Sequence, residues 1–138
     1  MQSLSTNILD DVLLTLEDLL ESIEHLRAWN KNVLDFVELD STEEGMKTLA
    51  ADAMILEALG EGVKVIDKKT EGRLLPLCTE DIAWRDVIGM RNVIAHGYFD
   101  IDVNILGRTI TSDIPVLERA LKELKDIVAA ELGRRKDC

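Results

Sequence analysis

Between positions 91 and 98 the chain places an arginine, an asparagine, a histidine and a tyrosine: Arg91, Asn92, His96 and Tyr98. The stretch holds one of only two histidines and the single tyrosine. An imidazole gives and takes protons near neutral pH. A guanidinium keeps its charge and grips phosphate oxygens through paired hydrogen bonds. Chemistry at a phosphate ester is what such a set can perform.

A helix has to position these groups. Ala83, Val87, Met90 and Ile94 recur at helical spacing, which predicts that the stretch is the last half of an amphipathic helix ending near Gly97. On that helix Asn92 and His96 share one face, while Arg91 and Tyr98 share another. Arg91 and His96 stand roughly 140° apart around an ideal helix and are not simple neighbours. They can line one groove if the helix stops near Gly97, or if a second copy of the chain supplies the opposite wall. A plainer account competes with this one. An Arg-Asn pair near a helix end can satisfy backbone carbonyls, a histidine there is favoured by the helix dipole, and Tyr98 can simply pack beside Phe99.

Arg91, four intervening residues, then His96-Gly97-Tyr98, with Asn92 after the arginine, resembles the Arg-x4-His-x-Tyr signature of HEPN proteins. More narrowly, the chain is similar to the HepT-like toxins encoded beside a minimal nucleotidyltransferase. The likeness extends over the Leu56-to-Lys64 helix with its Gly60-Glu61 pair, over Trp84-Arg85-Asp86-Val87-Ile88-Gly89-Met90, and over Tyr98-Phe99-Asp100-Ile101-Asp102. It spans roughly residues 8 to 130. One departure is Ala83, where members often carry proline before the tryptophan; it touches the helix start and leaves the polar residues unaffected.

The resemblance implies an all-α HEPN fold and a metal-independent endoribonuclease in which Arg91 and His96 are catalytic, with products ending in a 2′,3′-cyclic phosphate. It implies no cofactor and no metal. Asn92, on the face of His96, can orient the imidazole or a phosphate. One histidine per motif leaves a single subunit short of a second acid or base, so a homodimer joining both motif helices is expected. The resemblance also implies a cognate minimal nucleotidyltransferase antitoxin that attaches AMP to Tyr98, in a complex that can be larger than the dimer. The other reading is a non-catalytic or nucleotide-binding subunit of the same fold, partnering a nucleotidyltransferase. A purely structural helical bundle is a third.

Composition fits this class. The 138 residues suit one domain, with 46% hydrophobic and 31% charged residues, only 4% aromatic and two prolines. No apolar run approaches a membrane span and the start is not a basic secretory leader. Cys78 and Cys138 are isolated thiols, as in a reduced cytoplasmic protein. The net charge of −11 argues against a broad RNA-binding surface and for a basic partner or a small phosphate pocket.

Along the chain, Ser3, Ser5, Thr6 and Asn7 are candidate caps for a long helix running to about Trp29, with Ile8, Val12, Leu16, Leu19, Ile23 and Leu26 as its stripe. Asp10, Asp11, Glu17, Asp18, Glu21 and Glu24 make its outer side a solvated face or a docking surface for a basic partner. His25 lacks the Glu three residues earlier that a di-metal bundle wants, since Ser22 stands there. Asp40 to Glu44 caps a second helix, in which Gly60 and Gly62 predict close packing. Residues 68–80 read as a loop with Arg73 free to reach a ligand, and Thr79-Glu80-Asp81 as the cap of the motif helix. A final helical region kinks near Pro115 and ends at Gly133, leaving a short basic C-terminal tail at 133–138. The expected whole is a single domain over 1–138, a small antiparallel bundle of four or five helices.

Overall fold

The computed structural model describes residues 1–90, 92 and 100–137. Among them the chain is all helical, as expected, with five α-helices and no strand. Three long helices make the body: α1 (Thr6–Asn30), α2 (Glu43–Lys69) and α5 (Ile114–Lys136), with α1 packed between the other two. Two short helices, α3 (Trp84–Ile88) and α4 (Val103–Arg108), complete the set.

Each long helix starts where its sequence gives it a reason. The Ser5 hydroxyl accepts from the Ile8 N–H at 3.1 Å, and the Thr42 hydroxyl from the Gly45 N–H at 2.9 Å. Such caps are worth about 1 kcal/mol each. The stripe of α1 is buried as predicted at Val12, Leu16, Leu19, Ile23 and Leu26, with Leu9 beside them and Ile8 at the margin. Leu49, Leu56, Leu59, Val63 and Ile66 of α2 and Leu117, Leu121, Leu124, Val128 and Leu132 of α5 close the core around it. Outside the core, Arg27 donates to both carboxylate oxygens of Glu118 at 3.1 and 2.7 Å, tying α1 to α5 and holding the Glu118 carboxyl below its usual range.

The acidic residues of α1 are all exposed. Lys69 lies 3.8 Å from Asp11 and Lys125 lies 4.0 Å from Glu17. His25 is exposed too, stacked on Trp29 with ring centroids 5.9 Å apart.

α2 ends in a left-handed turn, with Glu71 at φ 54° and Gly72 at φ 73°. The expected loop therefore begins only at Thr70, and Leu74 and Leu75 anchor it in the core. Arg73 is not free: its guanidinium donates to the Ser3 hydroxyl and lies 3.1 Å from Glu71. Nor does α5 stop at Gly133. It continues to Lys136, because Arg134 and Arg135 both bond the Glu131 carboxylate and Arg135 also donates to Thr6 and the Met1 carbonyl. Arg135 thereby ties the last turns of α5 to residues 1–6.

Candidate active site

The segment leading into Arg91 is built on α3. That helix has five residues and no side-chain cap; Ala83 stands at its N-cap position. The expected cap is engaged elsewhere: the Thr79 N–H and hydroxyl donate to Glu123 of α5 at 2.8 and 3.0 Å. At the other end, the Gly89 N–H closes α3 on the Arg85 carbonyl at 3.0 Å. The predicted continuous amphipathic helix is thus interrupted at Gly89 and is helical again at Met90 and Asn92. Met90 is buried at 8% exposure, so the chain is pinned immediately before Arg91.

Gly60 is the reason α3 lies so close to α2. A Cβ there would stand 2.9 Å from the Val87 carbonyl oxygen and 3.1 Å from that of Ile88. The close packing read from the glycines is therefore real, and it is helix against backbone. Gly62, two residues on, seats Leu19 of α1 instead.

A cleft of about 680 Å³ opens along α3. One wall is Arg85, Asp86, Gly89 and Met90; the other is Ile105 of α4 with Thr109, Asp113 and Val116 beyond it. That second wall contains a π-helical turn, Thr109–Asp113. Pro115 supplies no N–H for the carbonyl four residues back, and the Thr109 and Thr111 hydroxyls donate to the Ile105 and Gly107 carbonyls at 2.8 and 2.9 Å. These features go with the widened turn, which lies just before Pro115, where the sequence predicts a kink. Such turns are frequent at functional sites. Among the described lining residues Arg85 is the one cation, set against Asp81, Asp86 and Asp113.

Of the predicted site residues, Asn92 is exposed and helical, its N–H donating to the Gly89 carbonyl at 3.0 Å. Arg91, His96 and Tyr98 lie outside the described residues. Met90, the residue before the motif, is among those lining the cleft.

A family model described as ribonuclease HepT-like matches residues 19–124. The chain belongs to that family. Among curated relatives, "Probable ribonuclease HepT" of Thermococcus cleftensis is 34% identical over 112 residues, covering 80% of this chain and 92% of its own length. A Methanocaldococcus jannaschii protein whose name gives it as a candidate RNase is 25% identical over 112 residues, covering 81% of this chain and 94% of its own. No solved structure matches at a significant level. For this HepT-like chain the matched span takes in α3, the cleft walls and every motif residue.

One buried polar pair was not read from the sequence. Asp52 of α2, fully buried, accepts from the Asn30 side-chain amide at 2.7 Å, and that amide also donates to the Leu26 carbonyl at 2.8 Å. Burial pushes the Asp52 carboxyl up to about 6, with the Asn30 hydrogen bond opposing. The Asn30 Oδ1 and Asp52 Oδ2 atoms have no partner. A signal existed, since position 52 falls on the apolar stripe between Leu49 and Leu56. Among the described residues no group of His, Cys, Asp and Glu is placed to hold a metal ion, and no helix is long and apolar enough to cross a membrane.

Proposed function

We propose that this HepT-like chain is a metal-independent endoribonuclease toxin of the cytoplasm, acting as a homodimer and silenced by a nucleotidyltransferase antitoxin. The observation that carries the reading is the Arg91-x4-His96-x-Tyr98 motif within the family match, following directly from the buried Met90 beside the cleft. In this mechanism a histidine removes the proton from a ribose 2′-OH, and the 2′-oxygen attacks the adjacent phosphorus. Arg91 stabilises the charge that builds on the phosphorane oxygens. The 5′-oxygen leaves with a proton from an acid, and a 2′,3′-cyclic phosphate remains. His96 from each of two subunits supplies both base and acid, with Asn92 orienting the imidazole. The exposed face of α2, with Met46, Ala50, Met54 and Ala58 one turn apart, is suited to bring the two copies together.

AMP carried on the Tyr98 hydroxyl adds a negative phosphate that competes for Arg91 and repels RNA, and a nucleotide that fills the cleft. Incubating the purified protein with total RNA in EDTA tests the ribonuclease reading: fragments ending in cyclic phosphate are expected, and intact RNA overturns it. Co-expression with the nucleotidyltransferase, followed by peptide mass spectrometry, tests the control. AMP on Tyr98, absent from Tyr98→Phe, is expected; AMP found only elsewhere defeats it. The carboxylates of Asp81, Asp86 and Asp113 along the cleft favour the second reading, a non-catalytic or nucleotide-binding partner of the nucleotidyltransferase, because they repel an RNA backbone. Intact RNA together with a stable complex between the two proteins would select it.

A further inference from the structure

Gly60 and Gly62 sit two residues apart on α2, yet a methyl group added to each would meet a different obstacle. At Gly62 the nearest atom is Leu19 Cδ2, 2.5 Å away, the far end of a flexible side chain that can change rotamer. At Gly60 the nearest atoms are the carbonyl oxygens of Val87 and Ile88, at 2.9 and 3.1 Å. Backbone oxygens cannot rotate aside, so α3 would have to move bodily. α3 has little to resist such a shift: five residues, no side-chain cap, and no residue of its own fully buried. Such a shift bears on the short connection through Gly89 to the buried Met90, the residue before Arg91.

We propose that Gly60 is a positioning residue for RNA cleavage. By letting the last carbonyls of α3 rest directly on α2, it sets where the chain enters the motif and hence where Arg91, three residues beyond Ile88, is delivered. This rests on the ribonuclease reading and adds to it a residue of another helix, 31 positions earlier than Arg91 in the sequence. Misplacement of a catalytic group by about 1 Å costs roughly 10²-fold in rate. The loss falls on kcat, because contacts of the remaining RNA with the protein are unchanged.

The experiment uses full-length protein carrying Trp29→Phe, which leaves Trp84 of α3 as the sole tryptophan and a reporter of the seat. Gly60→Ala is expected to shift Trp84 emission and lower kcat about 10²-fold, with KM within a few-fold. Gly62→Ala, matched for size and helix, is expected to keep both kcat and the emission while losing some thermal stability. Wild-type kcat in Gly60→Ala overturns the proposal, and so do parallel losses in the two variants that track their melting temperatures. Outright unfolding of Gly60→Ala by circular dichroism also overturns it, making Gly60 a residue of stability alone. If the parent protein cuts no RNA, the ribonuclease reading falls by itself. In that event unchanged Trp84 emission in Gly60→Ala removes the seating role too, and a shift upholds it.

Discussion

The three long helices and the two short ones, α3 and α4, are held in place by different means. α1, α2 and α5 bury continuous apolar stripes, and the first two begin at well-made side-chain caps. Between Ala83 and Asp113 the described buried hydrophobics are Met90 and Leu106, and the helices there have five and six residues. Helices that short do not hold themselves in water. Their place comes from contact with the body: Gly60 under α3, Glu123 under the loop before it, and Asp102 capping α4 by accepting from the Ile105 N–H at 3.1 Å. Folding free energy is thus concentrated in the three long helices, and the two short helices that flank the motif in the chain form a ledge attached to them. Low local stability is where binding and reactive segments are commonly found.

On that division, substitutions in the motif that lies between α3 and α4 in the sequence should cost activity and spare stability. His96→Ala and Arg91→Ala are expected to lower RNA cleavage by about 10²–10⁴-fold each, the usual loss for a positioned acid or base, with an unchanged melting curve. Wild-type cleavage by folded His96→Ala would remove the motif from the chemistry. Core substitutions should do the reverse. Leu16, fully buried at the middle of α1, is expected to cost about 2–5 kcal/mol as Leu16→Ala. Urea denaturation reads that loss, and cleavage per folded molecule should stay near wild type. A large fall in kcat at temperatures where Leu16→Ala is fully folded would show the two regions to be one cooperative unit.

The same division explains how much the sequence disclosed. The long helices follow from spacing alone, because each buries one face against partners that also repeat at three and four residues. Local caps were legible at Ser5 and Thr42, where acceptor and donor are three residues apart. Thr79 misled because its partner, Glu123, is 44 residues away and no local pattern reveals it. Gly133 looked like a helix end, yet Glu131 reaches Arg134 and Arg135 across it and keeps the turn wound. The break at Gly89 was hidden by the apolar spacing of Val87 and Met90 on either side. For the proposed site, residue types made Arg91, Asn92, His96 and Tyr98 candidates beside a plainer capping and packing account, and the family resemblance favoured them; Arg91, His96 and Tyr98 lie outside the described residues. The cleft walls from α4 and the π turn were not legible, since nothing local links Asp86 to Asp113.

A smaller effect is expected from Asp52, which belongs to the stable side yet breaks its apolar rule. Its carboxyl is raised from 3.8 to about 6 by burial, so the folded state favours the neutral acid. The sign follows directly. The stabilising contribution is complete below about pH 3.8 and is lost as pH rises through about 6, reaching about 3 kcal/mol for a shift of this size. Glu118, whose carboxyl is lowered by Arg27, acts in the opposite sense and favours the fold as pH rises from acid. Asp52→Asn removes the first effect and keeps the second. Its amide can still accept from Asn30 and can donate to the Asn30 Oδ1 that now has no partner. The variant should therefore gain on wild type steadily between pH 4 and 7, read by denaturation at each pH. A difference that stays flat across that range would show that Asp52 does not titrate in the fold.

The smallest effect tests whether the ledge is weak because it lacks a cap. Ala83 is exposed, sits in an extended conformation at φ −90° and ψ 93°, and offers no side-chain acceptor to the first turn of α3. Its carbonyl already accepts from the Asp86 and Val87 N–H groups at 3.0 and 3.2 Å, so the backbone is set for a helix start. A serine there needs no change of backbone to place a hydroxyl near the free N–H groups of that turn. Replacing alanine by serine at such a position is worth about 0.5–2 kcal/mol in exposed helices. On the expectation that α3 opens separately from the body, only part of that gain should reach the global melting point. Local protection should show it more fully: amide exchange at Val87, Ile88 and Gly89 is expected to slow several-fold in Ala83→Ser, with exchange along α1 unchanged. Cleavage should change little, since the seat on Gly60 is untouched. Slower exchange throughout α1 and α5 would mean that α3 unfolds only with the whole bundle, and the contrast between ledge and body would then be one of packing without any difference in local stability.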